Sequence, residues 1–231
     1  MLIIRSIFGG LFQLAIIASL LIVPAGLAVG EWGWSRGWQL IGCYGVIMLA
    51  SVIAMALLAP DSLEARLTPL ASSRQPVEDK VATFILLLAF VIYLVFIPLD
   101  VFVWQILGQP SQVISVLGAI LFVCGYALIM WTIFINKFAI PIVADQSEQG
   151  QVLIDTGPYA IVRHPMYLGI IPFFAGAGLW LQSWASLPLI GLVVLALAVR
   201  IRVEERTLLG SLDGYAEYCQ RCPYRLLPLV W

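Results

Sequence analysis

Charge is what this sequence has least of. Only 11% of its 231 residues are Asp, Glu, Lys or Arg, against 62% hydrophobic, whereas soluble domains carry about 25% charged and about 45–50% apolar residues. A chain so poor in polar side chains cannot cover a water-soluble globule. A single histidine leaves no histidine-based metal cluster to build. Basic runs are absent and the formal net charge is -1, so no stripe of cations can follow a phosphate backbone, which argues against nucleic acid as a partner. No Gly-rich phosphate fingerprint follows a strand pattern, and with it a soluble nucleotide-binding domain drops out. The four cysteines form no disulfide framework. Cys43 and Cys124 lie in apolar runs, where free cysteine behaves as a small hydrophobe. Cys219-Gln-Arg-Cys222 spells C-x-x-C without the βαβ pattern that accompanies redox sites. There is no internal repeat either, which weighs against transporter folds built from inverted repeats.

What the sequence has is long apolar runs. A hydrocarbon core of ~30 Å needs about 20 apolar residues in a helix, and residues 7–29, 37–59, 81–107 and 112–135 meet that length. Residues 166–199 form a fifth apolar region, broken near Gln182-Ser183-Trp184. It is too long for one straight span and slightly short for two, so a tight helical hairpin fits it best. The expected fold is therefore all-α: a polytopic helical membrane protein with four spanning helices plus a hairpin, five to six spans in all. Residues 1–135 read as the transmembrane bundle and residues 136–231 as a polar loop, hairpin and C-terminal segment. The first run, preceded by Arg5, resembles a secretory signal. It is long enough to span, however, and Glu31-Trp32-Gly33-Trp34 makes a poor cleavage site, so a retained helix is expected.

Loop charges set an orientation. Of twelve basic residues, Arg36 alone falls on one side of the spans. By the positive-inside rule, the other eleven place both termini, the 60–80 loop and the 136–165 loop in the cytoplasm. Trp32, Trp34 and Trp38 at the opposite end read as interface anchors, because indoles favour that depth. Residues 60–80, with Pro60, Pro69 and Pro76, read as a connector with one helical turn.

Polar residues are concentrated after Asn136. Asp155-Thr156-Gly157 spells the aspartic-protease triplet, but a single copy offers no second carboxylate to share a proton. Arg163-His164-Pro165 sits where the loop meets the next apolar helix. Proline is tolerated in a first helical turn, and the N–H groups left free there favour anionic or acceptor groups of a ligand. Gly169 would let a ligand or a neighbouring helix approach closely. The plainer reading makes Arg163 a headgroup contact, with Tyr159 and Tyr167 in an aromatic belt. Farther on, Arg200 and Glu204 are spaced i,i+4 and share a helix face. They are either functional ionisable residues at a membrane edge or snorkelling side chains on a solvated helix end.

Taken together and in order, these residues resemble a known family. Thr156-Gly-Pro-Tyr-Ala-Ile-Val-Arg-His-Pro-Met-Tyr-Leu-Gly169, then Arg200-x-x-x-Glu204-Glu205, Gly214-Tyr-Ala-Glu-Tyr218 and Leu226-Leu-Pro228, are similar to the isoprenylcysteine carboxyl methyltransferases and the related phospholipid methyltransferases. The likeness covers about residues 136–231. It implies a membrane-embedded S-adenosylmethionine site facing the cytoplasm and covered by the C-terminal segment. The cofactor-binding residues it implies are Gln146, Gln151, Val152, Leu153, Ile154, Tyr159, His164, Pro165, Met166, Tyr167 and Glu204. Arg200 would hold the acceptor near the methyl donor, and Arg200 and Glu204 would form the catalytic pair. A lipophilic acceptor would enter from the bilayer, and no metal is required. For an amine acceptor, Glu204 or Glu205 would be the nearest base. Two other readings are a membrane reductase using NADPH, whose 2′-phosphate would need Arg163, Arg202 or Arg206, and a small transporter. Against the transporter, the first four spans hold few ionisable residues, Asp100 being the exception.

Overall fold

The structure, a computed structural model, describes residues 1–67, 75–140, 142, 146 and 150–231. The apolar runs become helices because in hydrocarbon each backbone N–H and C=O must be satisfied within its own segment. In chain order the helices are α1 (Leu2–Val29), α2 (Ser35–Leu58), the short α3 (Pro60–Ala65), α4 (Val77–Leu99), α5 (Gln112–Ile135), α6 (Pro165–Trp180), α7 (Ser186–Ser211) and α8 (Tyr215–Arg221). Five of these segments are long and apolar enough to cross a membrane: α1, α2, α4 with its π-helical extension Asp100–Trp104, α5 and α7. The fold is all-helical and multi-pass, as the sequence implies. The single turn expected in the 60–80 connector is α3, while Arg74 of that connector lies outside the described residues. The third span begins at Val77 rather than at residue 81. Pro76 opens it, and Glu78 and Asp79 occupy its first turn, where carboxylates complement the helix dipole.

The expected hairpin is α6 and α7, parted around Gln182, whose φ of 67° turns the chain. With 16 residues, α6 is only about 24 Å long at 1.5 Å per residue. It nevertheless runs from one end of the bundle to the other. At its far end the Trp180 carbonyl accepts from Arg36 Nη1 at the start of α2 (3.3 Å). At its near end Tyr167 meets the last turns of α7.

The position of α6 is fixed by small residues against α5. A side chain at Gly176 would strike the Phe122 nitrogen and the Gly118 carbonyl, and one at Gly125 would strike Phe173 backbone. The two backbones therefore touch. In a membrane, where lipid is as apolar as leucine, close van der Waals approach of this kind drives helix association. Gly169 belongs to the same seam, facing Gly125 and Ile129, so it admits a neighbouring helix rather than a ligand.

Polar closures finish the far end. Arg36 also donates to Ser115 Oγ (2.6 Å) and Gln112 Oε1. Asp100 accepts from Ser183 Oγ (2.6 Å) and the Ile106 amide (3.0 Å). Trp32 and Trp38 are exposed there, but Trp34 is buried and packs edge-on against Phe102 at 5.3 Å. It serves as core rather than as an interface anchor.

Candidate functional site

At the opposite end the loop after α5, the first turn of α6, the last turns of α7 and α8 surround a cleft of about 630 Å³ including its open mouth. A 3-10 turn at Gly157–Ala160 and the start of α6 at Pro165 bring the motif residues in. The segment after α8 is strapped to them by backbone pairing. The Arg163 amide donates to the Tyr224 carbonyl and the His164 amide to the Arg225 carbonyl, both at 2.9 Å. Leu226 anchors the strap by packing among Leu86, Tyr167, Val193 and Ile201.

Two ionic arrangements underlie the cleft. In the first, Glu205 Oε1 accepts from Arg163 Nε and Oε2 from Arg225 Nε, each at 2.7 Å, with His164 Nε2 3.4 Å from Oε1. Arg163 also donates through Nη1 to the carbonyls of Cys222 (2.8 Å) and Pro223 (3.1 Å). Burial works against the Arg163 charge, but the Glu205 hydrogen bond and charge outweigh it and raise the pKa further. Arg163 is thus a buried clamp between α7 and the strap, not a headgroup contact. Tyr159 and Tyr167 are buried too, so the aromatic-belt reading fails for both. With both its oxygens taken by arginines, Glu205 is not available as a base.

In the second arrangement the Tyr167 hydroxyl stands between Arg200 and Glu204. It donates to Glu204 Oε2 (2.8 Å) and accepts from Arg200 Nε (3.0 Å). Arg200 is buried and also meets α4, donating to Thr83 Oγ1 at 3.0 Å and lying 3.7 Å from Asp79 Oδ1. Asp79 is fully buried and accepts from Gln75 Nε2. The i,i+4 relation of Arg200 and Glu204 is therefore mediated by a third residue from another helix. His164 stacks on Tyr167, with ring centroids 5.6 Å apart, and its Nδ1 is 3.9 Å from Glu204 Oε2.

The cleft wall contains Gln151, Val152, Leu153, Ile154, Tyr159, His164, Pro165, Met166, Tyr167 and Glu204, so residues far apart in the chain meet there. Gln146 is set to one side. It is buried, donates to the Phe138 carbonyl (2.8 Å) and lines a small adjoining cavity with Gln151 and Glu204. Arg200 lies behind Tyr167 rather than in the wall. Sequence reasoning did not single out Asn136, Phe138, Tyr215 or Tyr218, which also line the cleft. Asn136 donates to the Tyr159 hydroxyl (2.9 Å) and Tyr218 to the Tyr159 carbonyl (2.7 Å). Burial, only partly offset by the Asn136 hydrogen bond, pushes the Tyr159 phenol up to about 12. The Gly214-to-Tyr218 motif could have flagged the two tyrosines. Asp79 and Thr83 carried no signal beyond a polar start to an apolar run.

Chemically, the wall joins an apolar groove to one partly exposed carboxylate. The Glu204 side chain is 28% exposed, accepting from the Tyr167 hydroxyl and lying 3.9 Å from His164 Nδ1. The Tyr215 hydroxyl is buried in the same wall without a hydrogen bond among the described residues. The first turn of α6 leaves the N–H groups of Met166 and Tyr167 without intrahelical acceptors. This set offers an acceptor for an ammonium group, donors for a carboxylate, and apolar surface for a flat ring. It fits S-adenosylmethionine.

The fold is that of a multi-pass helical membrane protein with a cleft at one end of its bundle. Residues 113–212 match the phospholipid methyltransferase family, and the likeness drawn from the C-terminal motifs is borne out. The chain is 33% identical over 91 residues to the protein-S-isoprenylcysteine O-methyltransferase of Schizosaccharomyces pombe, a match covering 38% of each chain. It is 32% identical over 77 residues to a cobalt-zinc-cadmium resistance protein of Cupriavidus metallidurans, covering 33% of this chain and 36% of that one. The chain thus spans little more than a third of the length of these curated relatives.

Proposed function

We propose that this protein is an integral membrane methyltransferase that moves a methyl group from S-adenosylmethionine to a lipophilic acceptor, such as an isoprenylcysteine-type carboxylate or a lipid. The observation that carries the reading is Glu204, a partly exposed carboxylate held by Tyr167 beside His164 in a wall that the family match covers in part. When bound, the cofactor would supply an electrophilic methyl group for transfer to the acceptor.

The chain's own residues then have to align and dry the reaction, which is where most of the gain in such a transfer lies. Glu204 holds the cofactor's ammonium group. His164 and the amides of Met166 and Tyr167 face its carboxylate, with Pro165 fixing the turn. Gln151, Val152, Leu153, Ile154 and Tyr159 flank the nucleoside, and Gln146 supports Gln151 from behind. Arg200 acts through Tyr167 as a positioning residue, and among the described residues Glu204 is the carboxylate of the cleft wall that could take a proton from an amine acceptor. Residues 1–135 serve as the bundle and residues 136–231 as the cofactor-binding region, with α4 adding Asp79 and Thr83. By the positive-inside rule the cleft and both termini face the cytoplasm.

The reductase reading is weaker. Arg163, the cation nearest the cleft that a nucleotide 2′-phosphate would use, is committed to Glu205 and three carbonyls. The test is calorimetric titration of S-adenosylhomocysteine into the protein in lipid nanodiscs. Binding is expected, and His164→Ala and Glu204→Ala should each weaken it at least tenfold. No binding by folded wild-type protein would sink the proposal. A screen for acceptors with labelled methyl donor then follows.

A further inference from the structure

Arg66 stands just past the C-terminal end of α3, immediately beside the site yet outside every role described so far. Its Nε and Nη2 are closed off from solvent and have no hydrogen-bond partner among the described residues. The groups acting on it electrostatically are the phenols of Tyr159 and Tyr167, both residues of the cleft wall. Burial pushes its pKa down to about 10, so it remains a cation at neutral pH. Two guanidinium nitrogens closed off without an acceptor are costly, and the forked N–H groups of an arginine match the oxygens of a carboxylate or phosphate. Arg200, by contrast, already faces the buried carboxylate of Asp79.

The same short helix borders a second opening. Pro60, Asp61 and Ser62 of α3, with Leu58, Phe134 and Ile135, wall a mostly apolar bay of about 670 Å³ including its mouth. This bay shares Phe138, Val152 and Ile154 with the cleft. It opens where α2 and α5 end, at the edge of the apolar spans, and the exposed ions Asp61 and Lys137 (3.8 Å apart) mark its polar rim. One element thus carries an apolar surface continuous with the cleft and ends on a half-buried cation next to it.

We propose that Arg66 is an acceptor-binding residue and that the acceptor is an anionic amphiphile, its oxyanion held by Arg66 and its apolar chain lying in the bay beneath α3. This rests on the methyltransferase reading and narrows it: neutral and cationic lipids are poor acceptors.

The test titrates octanoate, octyl phosphate, octanol and octyltrimethylammonium separately into the full chain, saturated with S-adenosylhomocysteine, in phosphatidylcholine nanodiscs, with empty discs subtracted. Wild type should bind at least one oxyanion about tenfold or more tighter than octanol, the scale of a charge-assisted hydrogen bond. The octanoate and octyl phosphate arms tell a carboxylate acceptor from a phosphate one. Arg66→Gln should abolish the preference and Arg66→Lys should keep part of it. S-adenosylhomocysteine affinity should stay within about twofold in both, since Arg66 lies outside the cofactor wall; this also reports that each variant is folded. Equal binding of oxyanions and octanol by wild type, tighter binding of the cationic amphiphile, or an unchanged preference in Arg66→Gln would overturn the proposal. If S-adenosylhomocysteine fails to bind while the Arg66-dependent preference persists, the cofactor reading fails and the anion site stands.

Discussion

The two ends of this bundle both bury charge, and they do so in opposite ways. At the far end, Arg36 and Asp100 are met by hydroxyls, amides and carbonyls at helix termini. Both of these charges are tied to helix ends. At the near end, charge meets charge: Arg163 and Arg225 with Glu205, and Arg200 with Asp79. Here Glu204 is held by a hydroxyl and remains open to a cleft. Buried polarity is therefore common to both ends of this protein. What sets the near end apart is a carboxylate left partly exposed beside an apolar groove.

The contrast can be broken by substitution, the largest effect first. Glu205→Gln removes the charge between two arginines. Breaking a buried pair in this way costs about 3–5 kcal/mol, so the midpoint of thermal unfolding in detergent should fall sharply. An unchanged midpoint would mean that the near-end pairs are not structural. Gly176→Leu should be almost as severe, because the α5–α6 seam has no room for a side chain; overpacking costs about 1–3 kcal/mol or more. It should lower the unfolding midpoint and loosen the cleft with it.

Glu204→Gln sharpens the distinction. It should leave the unfolding midpoint nearly unchanged but weaken S-adenosylhomocysteine binding by roughly ten- to a hundredfold, as expected for a lost charge-assisted contact of about 1.5–3 kcal/mol. Asp100→Asn at the far end should do the reverse on a smaller scale. It keeps one acceptor for the Ile106 amide and should cost about 1 kcal/mol of stability with ligand affinity intact. Asp61→Asn, at an exposed pair 3.8 Å apart, should change stability by less than about 0.5 kcal/mol. A large effect there would show that the bay's rim carries load.

Much of this was legible in the sequence, for reasons that differ by element. Residues 112–135 needed only length and apolarity to be bounded, and the α6–α7 hairpin followed from a region too long for one helix with a polar break at Gln182. The cleft residues from Gln151 to Tyr167 were recovered as a set because they lie in order on a recognisable pattern. Partnerships were not legible. Helical spacing put Arg200 beside Glu204, but it could not show that Tyr167 intervenes or that Arg200 turns toward Asp79 and Thr83, 117 residues from it along the chain in the case of Thr83. Nor could composition tell Trp34, which is core, from Trp32 and Trp38, which are exposed. Tertiary neighbours decide such matters, and a linear pattern does not contain them.

The strap over the cleft has a consequence for how the protein is made. Arg163 and His164 take their backbone acceptors from Tyr224 and Arg225, about sixty residues later. A chain emerging from the ribosome can insert its spans one after another, since helices form from local contacts. The wall beside α6, however, stays unfinished until residues 224–226 have been synthesised and Leu226 has docked between α4, α6 and α7. Assembly of the cleft is therefore a late event, separate in time from membrane insertion.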